Sequence, residues 1–542
     1  MATGTIARRE PVAWAGAAAV TAGVLLHLPM YLDAADRDYR LVGMSVDVPM
    51  IVGMVLIVVG LAATAYGLLP RRGGALAEPV AGLRIRALDD VPLSLAHVGL
   101  LLVMAVAVTI DVMKPTTLAF VVPGFAQEYD LRSPVNPGGH APAALLPLAG
   151  ISGTVLGSFA WGWLGDRVGR RASILLAGVL FVATGVCGAM PSFELNLAMC
   201  FAMGLGVGGM LPIIFTLIGE TMPTRHRGWL MVLIGGDLAG AYVLTSWLSG
   251  TLLPDYGWRV LWLIGAPTGL LLILLARWIP ESPRFLLAHG HHAQAQAVMA
   301  RYGAVVVPDE AGDAPGPEPA TASGGAGFAQ LFRAPLGSLT AVVVLLGLGV
   351  GVVTFGFQLW IPSNLRRLGF TEVDADRILR DSALIGFPLN FLVAWLYGAW
   401  SARRTIVLLA GLTAAALVGL ALAGDHVVDD RALLYVLLVV PIWGISSLAA
   451  VLAAYSAEVY PTGLRARAGG LAAGASKAAG VVVIAAVVVA LTAPTIAATA
   501  LIGAVPMGLA ALVALRYGLE TRGRGLEEIA AAHAAAPGVP AR

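Results

Sequence analysis

Four ionisable side chains sit inside runs that are otherwise apolar: Asp111 and Lys114 in one, Asp237 in another and Lys477 in a third. A carboxylate or ammonium so placed can hold a group of opposite charge or carry a proton, and burying it uncompensated is costly. Lys114 and Lys477 are the only lysines in a Lys+Arg total of 34. Lysine, unlike arginine, can lose its proton when buried. At about 1.5 Å of rise per helical residue, Asp111 and Lys114 lie about 18 and 13 Å inward from Pro123, Asp237 about 14 Å from Gly228, and Lys477 about 15 Å from Arg467. Half the hydrocarbon thickness of a bilayer is about 15 Å, so in membrane helices all four would share one depth. Gln358, Asn390, Tyr242 and Trp443 are weaker candidates at similar depth.

The composition calls for such helices. Of 542 residues 58% are apolar and 12% charged, about half the charge of a soluble domain. Net charge is only +2, which offers no basic face for nucleic acid, and Cys187 and Cys200 cannot build a disulfide framework. The 66 glycines follow no collagen period and point to closely packed helices. Apolar stretches long enough to span a bilayer fall near 12–31, 48–70, 93–125, 143–164, 172–190, 195–219, 229–252, 260–279, 336–362, 379–400, 405–424, 432–456, 469–492 and 496–516. Fourteen spans with both termini in the cytoplasm put most of the arginines inside. The first stretch is read as a retained helix, being longer than a signal-peptide core.

Residues 1–91 then comprise two leading helices and a cytoplasmic linker, and 281–335 a cytoplasmic loop whose stretch 308–327 is a flexible tether rich in Pro, Gly and acids. Residues 284–301 within that loop are expected to form a short amphipathic helix. His289, His291 and His292 have the composition of a metal cluster but read as an exposed loop, so no metal or other cofactor is expected. Residues 519–542 form a cytoplasmic tail.

The chain also repeats itself. Glu220-Thr-Met-Pro-Thr-x-x-Arg227 returns as Glu458-Val-Tyr-Pro-Thr-x-x-Arg465, and Pro123 and Pro362 are separated by nearly the same offset. Residues 92–280 and 336–518 are therefore two related six-helix bundles. Alignment of the arginine pair Arg225/Arg227 with Arg465/Arg467 makes Lys477 the counterpart of Asp237.

Between the fourth and fifth spans stands Gly162-Trp-Leu-Gly-Asp166-Arg167-Val-Gly169-Arg170-Arg171. It resembles the G-x-x-x-D-R-x-G-R-R loop motif of the major facilitator superfamily. Pro280-Glu281-Ser-Pro-Arg284-Phe-Leu is similar to the P-E-S-P-R motif of the sugar-porter, organic-ion and aromatic-acid branches. With the Glu-x-x-Pro-Thr motifs, Gly204-Leu-Gly206-Val-Gly208-Gly209 and Gly257-Trp258-Arg259, the resemblance covers about residues 93–516. It implies an all-α membrane protein with the twelve-helix fold plus two extra N-terminal helices. It also implies a cytoplasmic gating set of Gly162, Asp166, Arg167, Gly169, Arg170, Arg171, Glu220, Arg227, Glu281, Arg284, Glu458 and Arg465. In that latch Asp166 would pair with arginines across the inner face. The second half keeps only Gly398 and Arg403-Arg404 and has no matching acid. Cys200 stands where many relatives carry arginine. Asp111-x-x-Lys114 followed by Pro123 resembles a D-x-x-D…P pattern with the second acid replaced by lysine.

Two readings of the buried charges remain open at this point. Asp111 with Lys114, and Asp237 with Lys477, could simply neutralise each other. Alternatively they bind an anionic group or move protons, with Gln358 and Asn390 beside them. The expectation is a monomeric, multi-pass secondary transporter of the cytoplasmic membrane, not an enzyme. It would take a small anionic or polyhydroxylated solute by alternating access, coupled to protons because no ATP-binding P-loop is present. The alternative is a solute-sensing receptor or scaffold on the same fold.

Overall fold

The computed structural model describes residues 10–68, 88, 91–132, 136, 138–236, 238–304, 327–358, 361–370, 372–461, 463–490, 495–524 and 529. Asp237, most of the linker and tail, and the tether over 308–326 lie outside the described residues. The helices are α1 (Glu10–Leu25), α2 (Leu28–Asp33), α3 (Val48–Leu68), α4 (Leu95–Glu128), α5 (Leu145–Val168), α6 (Arg170–Thr184), α7 (Phe193–Thr221), α8 (Thr224–Gly235), α9 (Leu238–Tyr256), α10 (Val260–Leu263) and α11 (Gly265–Leu275). They continue as α12 (Pro283–Ala288), α13 (His292–Arg301), α14 (Gly337–Val352), α15 (Ile361–Arg367), α16 (Glu372–Trp395), α17 (Ala402–Ala423), α18 (Arg431–Glu458), α19 (Arg465–Ala490) and α20 (Ile496–Tyr517). Among the described residues the only β pairing is one isolated bridge, Arg132 to Pro142. Among the described residues, eleven helical stretches are long and apolar enough to cross a membrane, and Val260–Leu275 and Leu384–Trp400 are shorter apolar helices. The expected span 229–252 falls on α8 and α9, which flank position 237.

The helices gather into two units. One comprises Met1–Gly73, Val103–Leu211 and Gly240–Pro280; the other comprises Gly74–Leu102, Pro212–Ala239 and Glu281–Arg542. In the first, the leading helices form a hairpin, α1 against α3, that packs on α6 and α11. Val20, Val24, Tyr31, Met50 and Ile57 of the leading segment share an apolar core with Val179, Val182, Val186 and Ile273. Glycine makes the hairpin possible. A Cβ on Gly16 would lie 2.6 Å from the Gly60 carbonyl, and one on Gly53 would lie 2.6 Å from the Gly23 carbonyl. Likewise, Cβ atoms on Gly153, Gly157, Gly204 or Gly208 would strike backbone of the facing helix, so α5 and α7 touch main chain to main chain. The run Gly204–Gly209 is thus a helix interface, sealed where the Ser158 hydroxyl donates to Gly208 O at 2.6 Å and the Trp161 indole to Leu205 O at 2.6 Å.

In the second unit α14 packs on α19 and α20, α17 on α18 and α20, and α18 on α8 and α16. The amphipathic segment expected over 284–301 is two helices, because Gly290 takes φ 74° between α12 and α13. The eighth expected span is likewise interrupted between α10 and α11. Pro267 has no N–H for the Leu263 carbonyl, which weakens the helix at that turn.

Leucine at Gly60 would force the hairpin apart, at a cost of about 1–3 kcal/mol. Gly60→Leu is therefore expected to lower the thermal unfolding midpoint of the purified protein. Gly99→Leu, at a position with nothing within 4 Å, serves as the control. Equal midpoints for the two variants would contradict this packing.

Candidate functional site

Lys114 lies deep in α4, one residue before Pro115, whose ring leaves the Asp111 carbonyl without its usual helical donor. Asp111 is 0% exposed and Lys114 7%. The Lys114 ammonium donates to the Thr268 hydroxyl at 3.3 Å and lies 5.5 Å from the Phe181 ring centroid. Among the described residues this is its one hydrogen bond, although an ammonium has three N–H groups to give. Asp111, one turn away, is near enough to act on it electrostatically.

A cavity of about 10 Å³ adjoins the ammonium, with Thr117, Thr184, Thr245 and Thr268 among its lining residues. That is room for about one water molecule. Each hydroxyl donates to its own helix: Thr117 to Met113 O, Thr245 to Ala241 O and Thr268 to Ile264 O at 2.8 Å, and Thr184 to Phe181 O at 3.1 Å. Their lone pairs are left for the cavity. Across it lies the interruption between α10 and α11, where a Cβ on Gly265 would stand 2.7 Å from Nζ. The threonines on α9 and α11 escaped sequence reasoning because hydroxyls are common in membrane helices, and only the fold brings these beside a lysine. Thr117, one turn from Lys114 on the same helix, was legible by spacing alone.

The other expected site residues belong to the second unit. Lys477 is half-buried on α19 and Gln358 half-buried beyond α14. Asn390 on α16 accepts a hydrogen bond from Ser447 of α18 at 2.7 Å. Trp443 carries a clearer signature: its indole N–H is buried with no acceptor among the described residues. An unmade hydrogen bond in such a place costs about 1–3 kcal/mol, so the group is poised to donate to a guest. Asp237 and the side chain of Tyr242 are not described, so pairing of Asp237 with Lys477 has no geometry to weigh.

The repeated motif gives the most ordered cluster. Glu220 meets Arg465 at 2.7 Å and Arg227 meets Glu458 at 3.5 Å, so each copy supplies the acid for the other's arginine. All four side chains are buried. Glu458 also accepts from Tyr397 at 2.8 Å and Thr521 at 2.7 Å, Arg227 donates to the Arg524 carbonyl at 2.9 Å, and Arg284 donates to the Glu220 carbonyl at 2.9 Å. Glu281 accepts from the Ser282 N–H at 3.0 Å, next to the Ser282 cap of α12. The exchange of partners between copies was not anticipated, although the identical acid-to-arginine spacing of the motifs carried the signal.

In the first unit, the loop motif makes local contacts. Asp166 pairs with Arg170 at 3.7 Å, and Arg170 also donates to Gly165 O at 3.2 Å. Arg171 donates to Ala276 O at 3.2 Å, and Arg167 lies 4.5 Å from the centroid of the Trp163 ring. Gly162 is buried in α5, and Gly169 makes the turn into α6 at φ 105°. At the corresponding place in the second unit, Glu520, past α20, accepts from the Ala402 N–H at 3.0 Å and contacts Ser401, at the N-terminus of α17. Among the described residues no group of three or more His, Cys, Asp or Glu could hold a metal ion, and His289 is engaged with the Phe285 carbonyl at 2.9 Å.

Known proteins share both sequence and fold with this chain. Residues 100–484 match the sequence profile of the Major Facilitator Superfamily. The chain is 24% identical over 406 residues to the niacin transporter NiaP of Acinetobacter baylyi, covering 73% of this chain and 88% of that protein. It is 26% identical over 307 residues to the 4-hydroxybenzoate transporter PcaK of Pseudomonas putida, covering 56% and 65%. The xylose transporter XylE of E. coli, in its partially occluded inward-open structure, superposes with a TM-score of 0.57 at 19% identity, covering 80% of this chain and all of that one. At that identity the likeness speaks for the fold alone. The profile match across most of the chain, with the membrane-spanning helices and the loop motifs it contains, makes this protein a transporter that belongs to the major facilitator superfamily.

Proposed function

We propose that this chain is a secondary active transporter that carries a small organic acid across the cytoplasmic membrane by alternating access, coupled to protons. The observation that carries the reading is the Lys114 ammonium, deep in a membrane helix with one hydrogen bond and a polar cavity beside it. An ammonium with N–H groups to spare suits a solute carboxylate, and among the solutes expected from sequence this favours the anionic over the polyhydroxylated. Relatives named for niacin and 4-hydroxybenzoate transport handle solutes that are carboxylates at neutral pH. A one-water cavity cannot hold such a solute, so the site opens by movement at the weakened turn between α10 and α11.

In this reading Lys114 takes the carboxylate and Asp111 or Asp237 exchanges the proton, while Lys477, Gln358, Asn390 and Trp443 serve the second bundle's side of the path. The reciprocal ion pairs, with Arg284 bonded to the Glu220 carbonyl, close the cytoplasmic end and part when that end opens, and the loop motif Gly162–Arg171 and Glu281 belong to the same gating set. The chain works as a monomer of fourteen spans with both termini inside, α8 and α9 together making the seventh. The leading hairpin stands outside the two six-helix bundles.

Counterflow of niacin or 4-hydroxybenzoate in proteoliposomes tests the site. Lys114→Ala and Gly265→Ala are each expected to cut it at least roughly tenfold while the protein stays folded, about the effect of losing one buried charge-assisted bond. Undiminished counterflow in Lys114→Ala would remove Lys114 from the site, and solute binding without counterflow in the wild type would favour a receptor.

The gate has its own test. Glu220→Gln takes the buried counter-charge from Arg465, at a cost of up to about 3–5 kcal/mol, and should suppress transport. The exchanged pair, Glu220→Arg with Arg465→Glu, should recover much of it. A double variant no better than the single ones would show that reciprocal pairing is not what the motif supplies.

A further inference from the structure

Beside the ion pairs, the second unit carries a cleft of about 1120 Å³, above the roughly 300–1,000 Å³ usual for drug-sized ligands. Its lining changes character from one end to the other. At the head of α8 are Arg225 and His226, with Arg522 from beyond α20. Arg225 is exposed and makes no hydrogen bond or ion pair among the described residues. Arg522 gives one N–H to the Trp400 carbonyl at 3.2 Å and keeps the others. Burial and then the Arg225 charge hold the His226 imidazole below its usual pKa. The neutral ring accepts the Trp229 indole N–H at Nδ1, 3.2 Å away, so its own proton sits on Nε2. The Thr224 hydroxyl, in the same first turn, is buried with no partner among the described residues. The one acid in the lining, Glu458, is neutralised by Arg227.

Towards the other end the wall is aromatic. Trp229 faces Phe391 and Trp395 on α16, which are 56% and 60% exposed within the apolar stretch Leu384–Trp400. A cleft with a cationic head and an aromatic flank inside a membrane protein matches the chemistry of a phosphate carrying acyl chains.

We propose that this cleft binds an anionic glycerophospholipid. Arg225, Arg522, the His226 Nε2–H and the Thr224 hydroxyl hold its phosphate, and an acyl chain lies along Trp229, Phe391 and Trp395. Because Glu458 forms part of the wall, the bound lipid braces the Arg227–Glu458 pair. The site rests on the membrane setting and not on the identity of the transported solute.

Native mass spectrometry of the full-length protein in detergent, titrated with phosphatidylglycerol or with phosphatidylcholine of the same chains, tests the assignment. The wild type should retain phosphatidylglycerol at a several-fold lower lipid concentration. Arg225→Ala with Arg522→Ala should abolish that preference, and the single, exposed Arg225→Gln should reduce it without disturbing the fold. Trp395→Ala should weaken retention of both lipids alike. A double variant that keeps the preference, or a wild type that has none, would overturn the proposal. So would displacement of phosphatidylglycerol by millimolar glycerol phosphate, which would identify a site for a free anion instead.

Discussion

Four charges from two copies of one motif neutralise each other in a place that water does not reach. Glu220 with Arg465 and Arg227 with Glu458 are buried, and removing any one of them takes a buried counter-charge from its partner. Such a cluster has two acceptable arrangements, fully paired or fully wetted, and nothing stable between. In the proposed cycle that bistability is what the gate at the cytoplasmic end would use. The neighbours reinforce the paired arrangement, since Tyr397, Thr521 and the Arg284 and Arg524 regions all bond to its members.

Around the charges the packing is close because it is made by backbone. Glycines on α5 and α7 bring two helices together without intervening side chains, and those of the leading hairpin do the same for α1 and α3. The hairpin is also fastened by polar bonds. Glu128, at the end of α4, accepts from the Leu41 N–H at 2.9 Å and the Val42 N–H at 3.2 Å while pairing with Arg259 at 2.7 Å. The connection between the leading helices is thereby tied to the same helix that bears Asp111 and Lys114.

Much of this was legible in the sequence because the bilayer is a demanding solvent. Long apolar runs can only be helices there, and the duplicated Glu-x-x-Pro-Thr-x-x-Arg exposed the repeat whose two copies exchange partners. Charge in an apolar run marked Lys114, which the fold sets beside the Thr268 hydroxyl and a small polar cavity. Contacts between distant segments were not legible. Thr245 and Thr268 join Lys114 only through the fold, Glu520 reaches the head of α17 from far along the chain, and the breaks at Gly290 and Pro267 depend on single turns. Asp166 pairs with Arg170 at the next helix start, where Gly169 turns the chain back.

The proposed cycle stands on the Lys114 ammonium recognising a carboxylate. Calorimetric titration of the wild-type protein with two solutes that differ only there, niacin and nicotinamide, isolates that recognition from every other contact. A charged partner for a buried ammonium is worth about 2–5 kcal/mol, so niacin should bind at least roughly tenfold more tightly than the amide. Equal affinity for acid and amide would contradict the role assigned to Lys114.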